Sequence, residues 1–252
     1  MGLFRKLLGR EPGWTETWSV YPGEIGEHLA MYHVDLGAVD AAPVPRLPVR
    51  VDVEFDYAGD GASGMPGDRE LVDIRGLEEA VRKAMSALGG AYVGRVLTGN
   101  TGHMVGYLPS PDQKPHFDSP VALAPRLTLT PDPAWSGVRE DLAPDEWQRN
   151  LIQDMQVVAS LEGHGDHLEA PREVEHLAYF PEEPMAQAAA RELADADFAA
   201  TVERDDEGGY VLQAIRVDAV VPPAIHGVSW LVRQVVERHD GTYDGWGCVA
   251  QN

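Results

Sequence analysis

A single cysteine, Cys248, stands in 252 residues, which excludes an internal disulfide framework and any zinc site built on cysteines. Long apolar runs are missing as well. The opening ten residues mix Arg5, Lys6 and Arg10 with Leu3, Phe4, Leu7 and Leu8, too short a stretch for a leader or a membrane span, although compatible with a brief interfacial helix. Lys6 occupies the position where a myristoylation motif needs Ser or Thr. These absences lead us to expect a reducing, cytoplasmic setting. Phosphate-binding and nucleophile-elbow motifs are absent too: Gly61-Ala62-Ser63-Gly64 lacks the spacing and the lysine of a P-loop, and no Gly-x-Ser-x-Gly occurs.

Positive charge is scarce. The 20 Lys+Arg face 41 Asp+Glu, a formal net charge of −21. Residues 1–140 hold 13 bases and 19 acids, a net −6, whereas residues 141–252 hold 7 and 22, a net −15. Such a field repels phosphates and disfavours direct nucleic-acid binding. It steers association with a basic protein surface, or else serves solubility.

What is present suggests two domains, since the length exceeds a usual single domain and 44% hydrophobic residues suffice for real cores. The expected division is 1–138 and 139–252. In the first, strand-like runs at 28–36 and 49–57 flank a Pro-rich link, and the amphipathic stretch 69–88 repeats Leu71, Ile74, Leu77, Val81, Met85 and Leu88 at helical spacing. Runs 91–97 and 103–108 around Thr98-Gly99-Asn100-Thr101-Gly102 predict a hairpin, with a further strand at 126–130. Trp135 is read as part of the exit from this domain, followed by a turn-rich connection over 136–142.

In the second, Pro144-Asp145-Glu146 opens a helix ending at Gly163, with Trp147, Leu151, Met155 and Val158 expected on its buried face. Strand, helix, strand, strand, helix, strand then follow from 173 to 251, the split βαβ order of a ferredoxin-like sandwich. The fold class expected is therefore α+β: a ferredoxin-like C-terminal domain and an N-terminal antiparallel sheet with one packed amphipathic helix. The open sheet face is left for the leading helix or the first domain to cover.

The closing motif Tyr243-Asp244-Gly245-Trp246-Gly247 places an aromatic between two glycines, which suits a bulge that turns Trp246 into a core. His164, Asp166, His167 and His176 supply metal-ligand types, but in a spacing of no zincin or deaminase pattern. The alternative to a metal site is a hydrogen-bonded loop, with His176 at the margin of a packed strand face. The Asp205-Asp206-Glu207 run reads as a solvated hairpin tip.

Gly165-Asp166, Pro171-Arg172-Glu173-Val174-Glu175-His176, Tyr179-Phe180 and Tyr243-Asp244-Gly245-Trp246-Gly247, taken in order, resemble the regulator of ribonuclease E activity B (RraB) family over residues 144–252. The early Trp, the amphipathic helix and Tyr92-Val93-Gly94-Arg95 resemble a bacterial domain of unknown function found fused to it. The first resemblance implies a small, acidic, ferredoxin-like protein that binds an RNase E-like endoribonuclease and lowers its activity, with neither catalysis nor cofactor of its own. Candidate contacts with that partner, or with another basic RNA-processing protein, are Asp166, Glu173, Glu175, Asp205, Asp206 and Glu207. A small metal-dependent hydrolase using the His/Asp cluster, and a toxin-neutralising or scaffold module, are the alternative readings.

Overall fold

The computed structural model describes residues 13–119, 123–206 and 208–251, so the basic segment 1–10 and Glu207 lie outside the described residues. The chain divides into two compact units, Met1–Pro144 and Asp145–Asn252. Among the described residues no helix is long and apolar enough to cross a membrane.

Unit 1 is a six-stranded antiparallel sheet. Its elements are β1 (Trp18–Ile25), β2 (His28–Asp35), α1 (Leu36–Ala41), β3 (Val49–Asp56), α2 (Asp68–Ala87), β4 (Ala91–Thr98), β5 (Thr101–Leu108), β6 (Arg126–Pro131) and α3 (Ser136–Asp141), in strand order β1-β2-β4-β5-β3-β6. Strict alternation in β3 turns Val49, Val51, Val53 and Phe55 towards Ile74, Leu77, Val81 and Met85 of α2, and this contact is the core. The β4–β5 connection is the expected hairpin: Gly99 and Asn100 both have positive φ, +50° and +68°, as a two-residue turn matched to strand twist requires.

Three features of unit 1 depart from expectation. β1 lies at the sheet edge, the position where Pro22 removes no central ladder bond, and that proline with Gly23 hid the strand from its pattern. Trp135 is fully buried, stacking on Tyr107 at 4.0 Å and donating to the Leu47 carbonyl at 2.8 Å; it belongs to the core rather than to an exit. The expected connection over 136–142 is the helix α3, organised by Asp132, whose carboxylate accepts from the Ser136 and Gly137 amides.

Unit 2 comprises α4 (Glu146–Gly163), β7 (Arg172–Phe180), α5 (Glu183–Ala194), β8 (Ala199–Arg204), β9 (Tyr210–Asp218), α6 (Pro222–Arg238) and β10 (Thr242–Cys248). The antiparallel strand order β10-β7-β9-β8, with α5 and α6 as crossovers, is the ferredoxin-like arrangement. α5 and α6 cover one face, where Ala178, Phe180, Leu212 and Ala214 meet Ala189, Leu193, Val232 and Val236. α4 packs on that same face: its Val158 and Leu161 join Val174, Ile225 and Trp246. The leading helix thus leaves the opposite, open face of the sheet without a helix of unit 2, contrary to one of the two coverings expected for it.

Candidate functional site

Asp145 caps α4 by accepting from the Gln148 amide at 2.7 Å, while the Gln148 side chain returns a bond to the Asp145 amide. From that start, Asn150, Asp154, Val158 and Leu161 fall on the buried stripe, whereas Trp147 and Met155 are exposed. The expected apolar face was therefore rotated from the true one. The true face carries polar residues because α6 presents His226, Ser229 and Arg233 to it.

Asp154 is the centre of this polar seam. One carboxylate oxygen accepts the Trp246 indole N–H at 2.8 Å; the other lies 2.6 Å from Ser229 Oγ, 2.7 Å from His226 Nδ1 and 3.0 Å from Asn150 Nδ2. Asn150 Oδ1 in turn accepts from Arg233 Nε at 2.7 Å. A carboxylate with its acceptor sites filled by donors can be buried without a large desolvation cost. The four-residue spacing of Asn150 and Asp154, continued by Val158, was the signal available in the sequence.

The closing motif completes the seam from the sheet side. The β10–β7 register slips between Tyr243 and Gly245, and Gly245 takes φ +138°, open to glycine and strained for other residues. Trp246 is thereby aimed inward. Tyr243 Oη lies 2.8 Å from His176 Nδ1, deep in the core. Burial pushes the His176 imidazole down to about 4, and burial with the nearby Asp154 charge pushes the Tyr243 phenol far up, so the neutral phenol donates to the neutral ring. His176 is fully buried and lies within the packed face, rather than at its margin as expected.

Between α4 and β10 opens a groove of about 410 Å³, walled by Gln153, Gln156, Val157 and Ser160 on one side and Tyr243, Asp244, Gly245 and Trp246 on the other. Tyr243 and Trp246 are thus core residues whose margins reach a surface, and Asp244 is exposed there.

The candidate contact acids separate. Glu173 and Glu175 alternate onto the open sheet face, Glu175 accepting from Gln213 at 2.5 Å. Asp166 is corrected from surface contact to internal strut: its enclosed carboxylate receives Arg172 Nη1 and the Gln251 amide, each at 2.6 Å, and the Arg172 bond holds it below the usual carboxylate range. Asp205 closes its hairpin by accepting from the Gly209 amide at 2.7 Å, while Asp206 is exposed. The proposed metal cluster does not assemble. His164 bonds the Ser160 carbonyl, Asp166 faces Arg172 and His176 faces Tyr243; among the described residues no three His, Cys, Asp or Glu converge on a cation position.

Unit 1 has its own buried charge, centred on Glu78, whose partners include Tyr92 and Arg95 of the Tyr92-Val93-Gly94-Arg95 motif. Glu78 of α2 meets His33 Nδ1 at 2.9 Å, Arg95 Nε at 2.8 Å and Tyr92 Oη at 3.1 Å. Burial would raise its carboxyl, but the His33 hydrogen bond and the Arg95 charge outweigh it and hold it low. Trp18 stacks on Tyr92 at 5.8 Å beside this group.

Residues 151–248 match the family described as Regulator of ribonuclease activity B, and residues 16–115 match the Family of unknown function DUF695. No curated protein matches the chain. The two matches fall one in each unit, and the first spans Asp154 with its partners on α6, the groove and the closing motif.

Proposed function

We propose that this chain, joining a DUF695-like unit to an RraB-like unit, is a non-catalytic regulator that binds a ribonuclease protein and lowers its activity. The observation that carries the reading is the RraB match over residues 151–248. Charge supports it: the half that contains the match holds most of the acid excess, which attracts a basic RNA-processing protein and repels RNA itself. In this reading the target is an RNase E-like endoribonuclease, encountered in the cytoplasm.

The test is affinity capture with the full chain from lysate of its own host, followed by RNA cleavage by the captured enzyme with and without added chain. Recovery of an endoribonuclease whose cleavage slows as the chain is added is expected, with capture weakening as salt rises. Failure to recover a ribonuclease at low as well as moderate salt would sink the reading.

A further inference from the structure

We infer that the helix-free face of the β10-β7-β9-β8 sheet is the docking surface, and that it takes an extended segment of the partner carrying Arg or Lys among apolar residues. The inference rests on the proposed function and names its contact.

Strand parity sorts the charges of this sheet. Arg172, Arg204 and Arg216 all alternate onto the face bearing α5 and α6, whereas Glu173, Glu175 and Glu203 all alternate onto the open one. None of the strand positions on the open face is Lys or Arg. Two of these arginines are engaged within the unit, Arg172 on Asp166, and Arg216 on Asp218 and over the Phe198 ring, and Arg204 is exposed at the hairpin end of β8.

Apolar side chains share the face with these acids. Leu177 and Tyr179 of β7 and Val211, Ile215 and Val217 of β9 lie outside the cores formed with α5 and α6 and with α4; Leu177, Val211 and Ile215 are half-buried, and Val217 and Tyr179 are 62% and 43% exposed. By register Glu175 stands beside Ile215, and Glu203 beside Val211 with Tyr179 one strand further on, so acids and apolar side chains are interleaved across the face around Gln213. This mixture suits a cationic side chain whose aliphatic stem lies on apolar surface. Gly247, opposite Glu175, adds bare backbone: a Cβ there would meet nothing within 4 Å, so internal crowding does not demand glycine at that position. A strand glycine of this kind permits close approach by another backbone.

A nine-residue peptide alternating Arg and Val, with a Glu-for-Arg version as control, probes the surface on the full chain by fluorescence anisotropy and backbone amide shifts. The Arg peptide should shift amides of 173–179 and 211–217, and the Glu peptide should not bind. Glu173→Lys with Glu203→Lys should weaken binding about tenfold, whereas Glu162→Lys with Asp195→Lys, an equal charge change elsewhere on the unit, should leave it nearly intact. Equal loss in both pairs, or shifts confined to α4 and β10, would overturn the inference. Lysate capture separates the two levels. If the Glu173/Glu203 pair still captures the ribonuclease at wild-type yield, this surface is wrong and the function stands; if wild type captures none while the peptide results hold, the function falls and the surface stands.

Discussion

Trp246 donates its indole N–H to Asp154 at 2.8 Å across 92 positions of sequence, tying the last strand of unit 2 to its first helix. The bond explains the closing motif physically. Gly245 supplies the backbone bend, the bend turns Trp246 inward, and Trp246 supplies one of the donors that make a buried Asp154 tolerable.

Trp246→Phe keeps most of the ring and removes the donor, so it should cost about 1–3 kcal/mol, while Trp246→Ala should cost about 3–5 kcal/mol. Denaturant unfolding of the full chain measures both. A Trp246→Phe protein with unchanged stability that no longer captures its partner would make the motif a contact rather than a strut.

Asp154→Ala should be at least as damaging as Trp246→Phe, at about 3 kcal/mol, because it orphans donors from Trp246, Ser229, His226 and Asn150 together. The double variant Asp154→Ala with Trp246→Phe should cost less than the two single losses combined. Strict additivity in that cycle would show that the pair does not act as a unit.

The pH dependence of stability should carry the mark of His176. Its folded value is about 4 against 6.5 for the free group, so the unfolded chain takes up this proton first as pH falls. The contribution is complete above pH 6.5, declines as pH falls from 6.5 to 4 and levels off below, a loss of about 3 kcal/mol. His176→Phe leaves the Tyr243 hydroxyl without its acceptor and should be less stable at pH 7, yet its stability should fall less steeply over this window. Parallel slopes in urea unfolding at pH 7, 6 and 5 would refute it.

At the β8–β9 hairpin, Asp206→Lys should change stability by less than about 0.5 kcal/mol, the usual range for an exposed residue. Asp205→Ala should cost about 1 kcal/mol, because the Gly209 amide loses its acceptor. Thermal unfolding of the two variants side by side distinguishes a solvated tip from a structural cap.

Much of the architecture was legible because it is local. The Gly99-Asn100 turn, the helical period of α2, the alternation of β3 and the split βαβ order of unit 2 each follow from residues within one turn or one strand of each other. β1 and α3 were not legible. Pro22 breaks a strand pattern unless the strand lies at an edge, and α3 depends on Asp132 being held by Tyr107 from another strand at 2.7 Å.

The site divides the same way. Sequence by itself determined the acid excess of the second half, the closing motif and the period of two that puts Glu173 and Glu175 on one side of their strand. That Glu203 of a different strand joins them on one sheet face was decided by strand pairing through β9. Tertiary structure alone decided which acids are surface and which are struts. Asp166 and Glu173 are both acids near one strand, but Asp166 is enclosed by Arg172 and the Gln251 amide, and Glu173 faces outward. It also decided that Asp154 is the centre of the polar seam, because a buried carboxylate is defined by donors that arrive from Ser229 and Trp246, 75 and 92 positions away. No local period encodes contacts at that separation; they exist only once the two helices and the closing strand have packed.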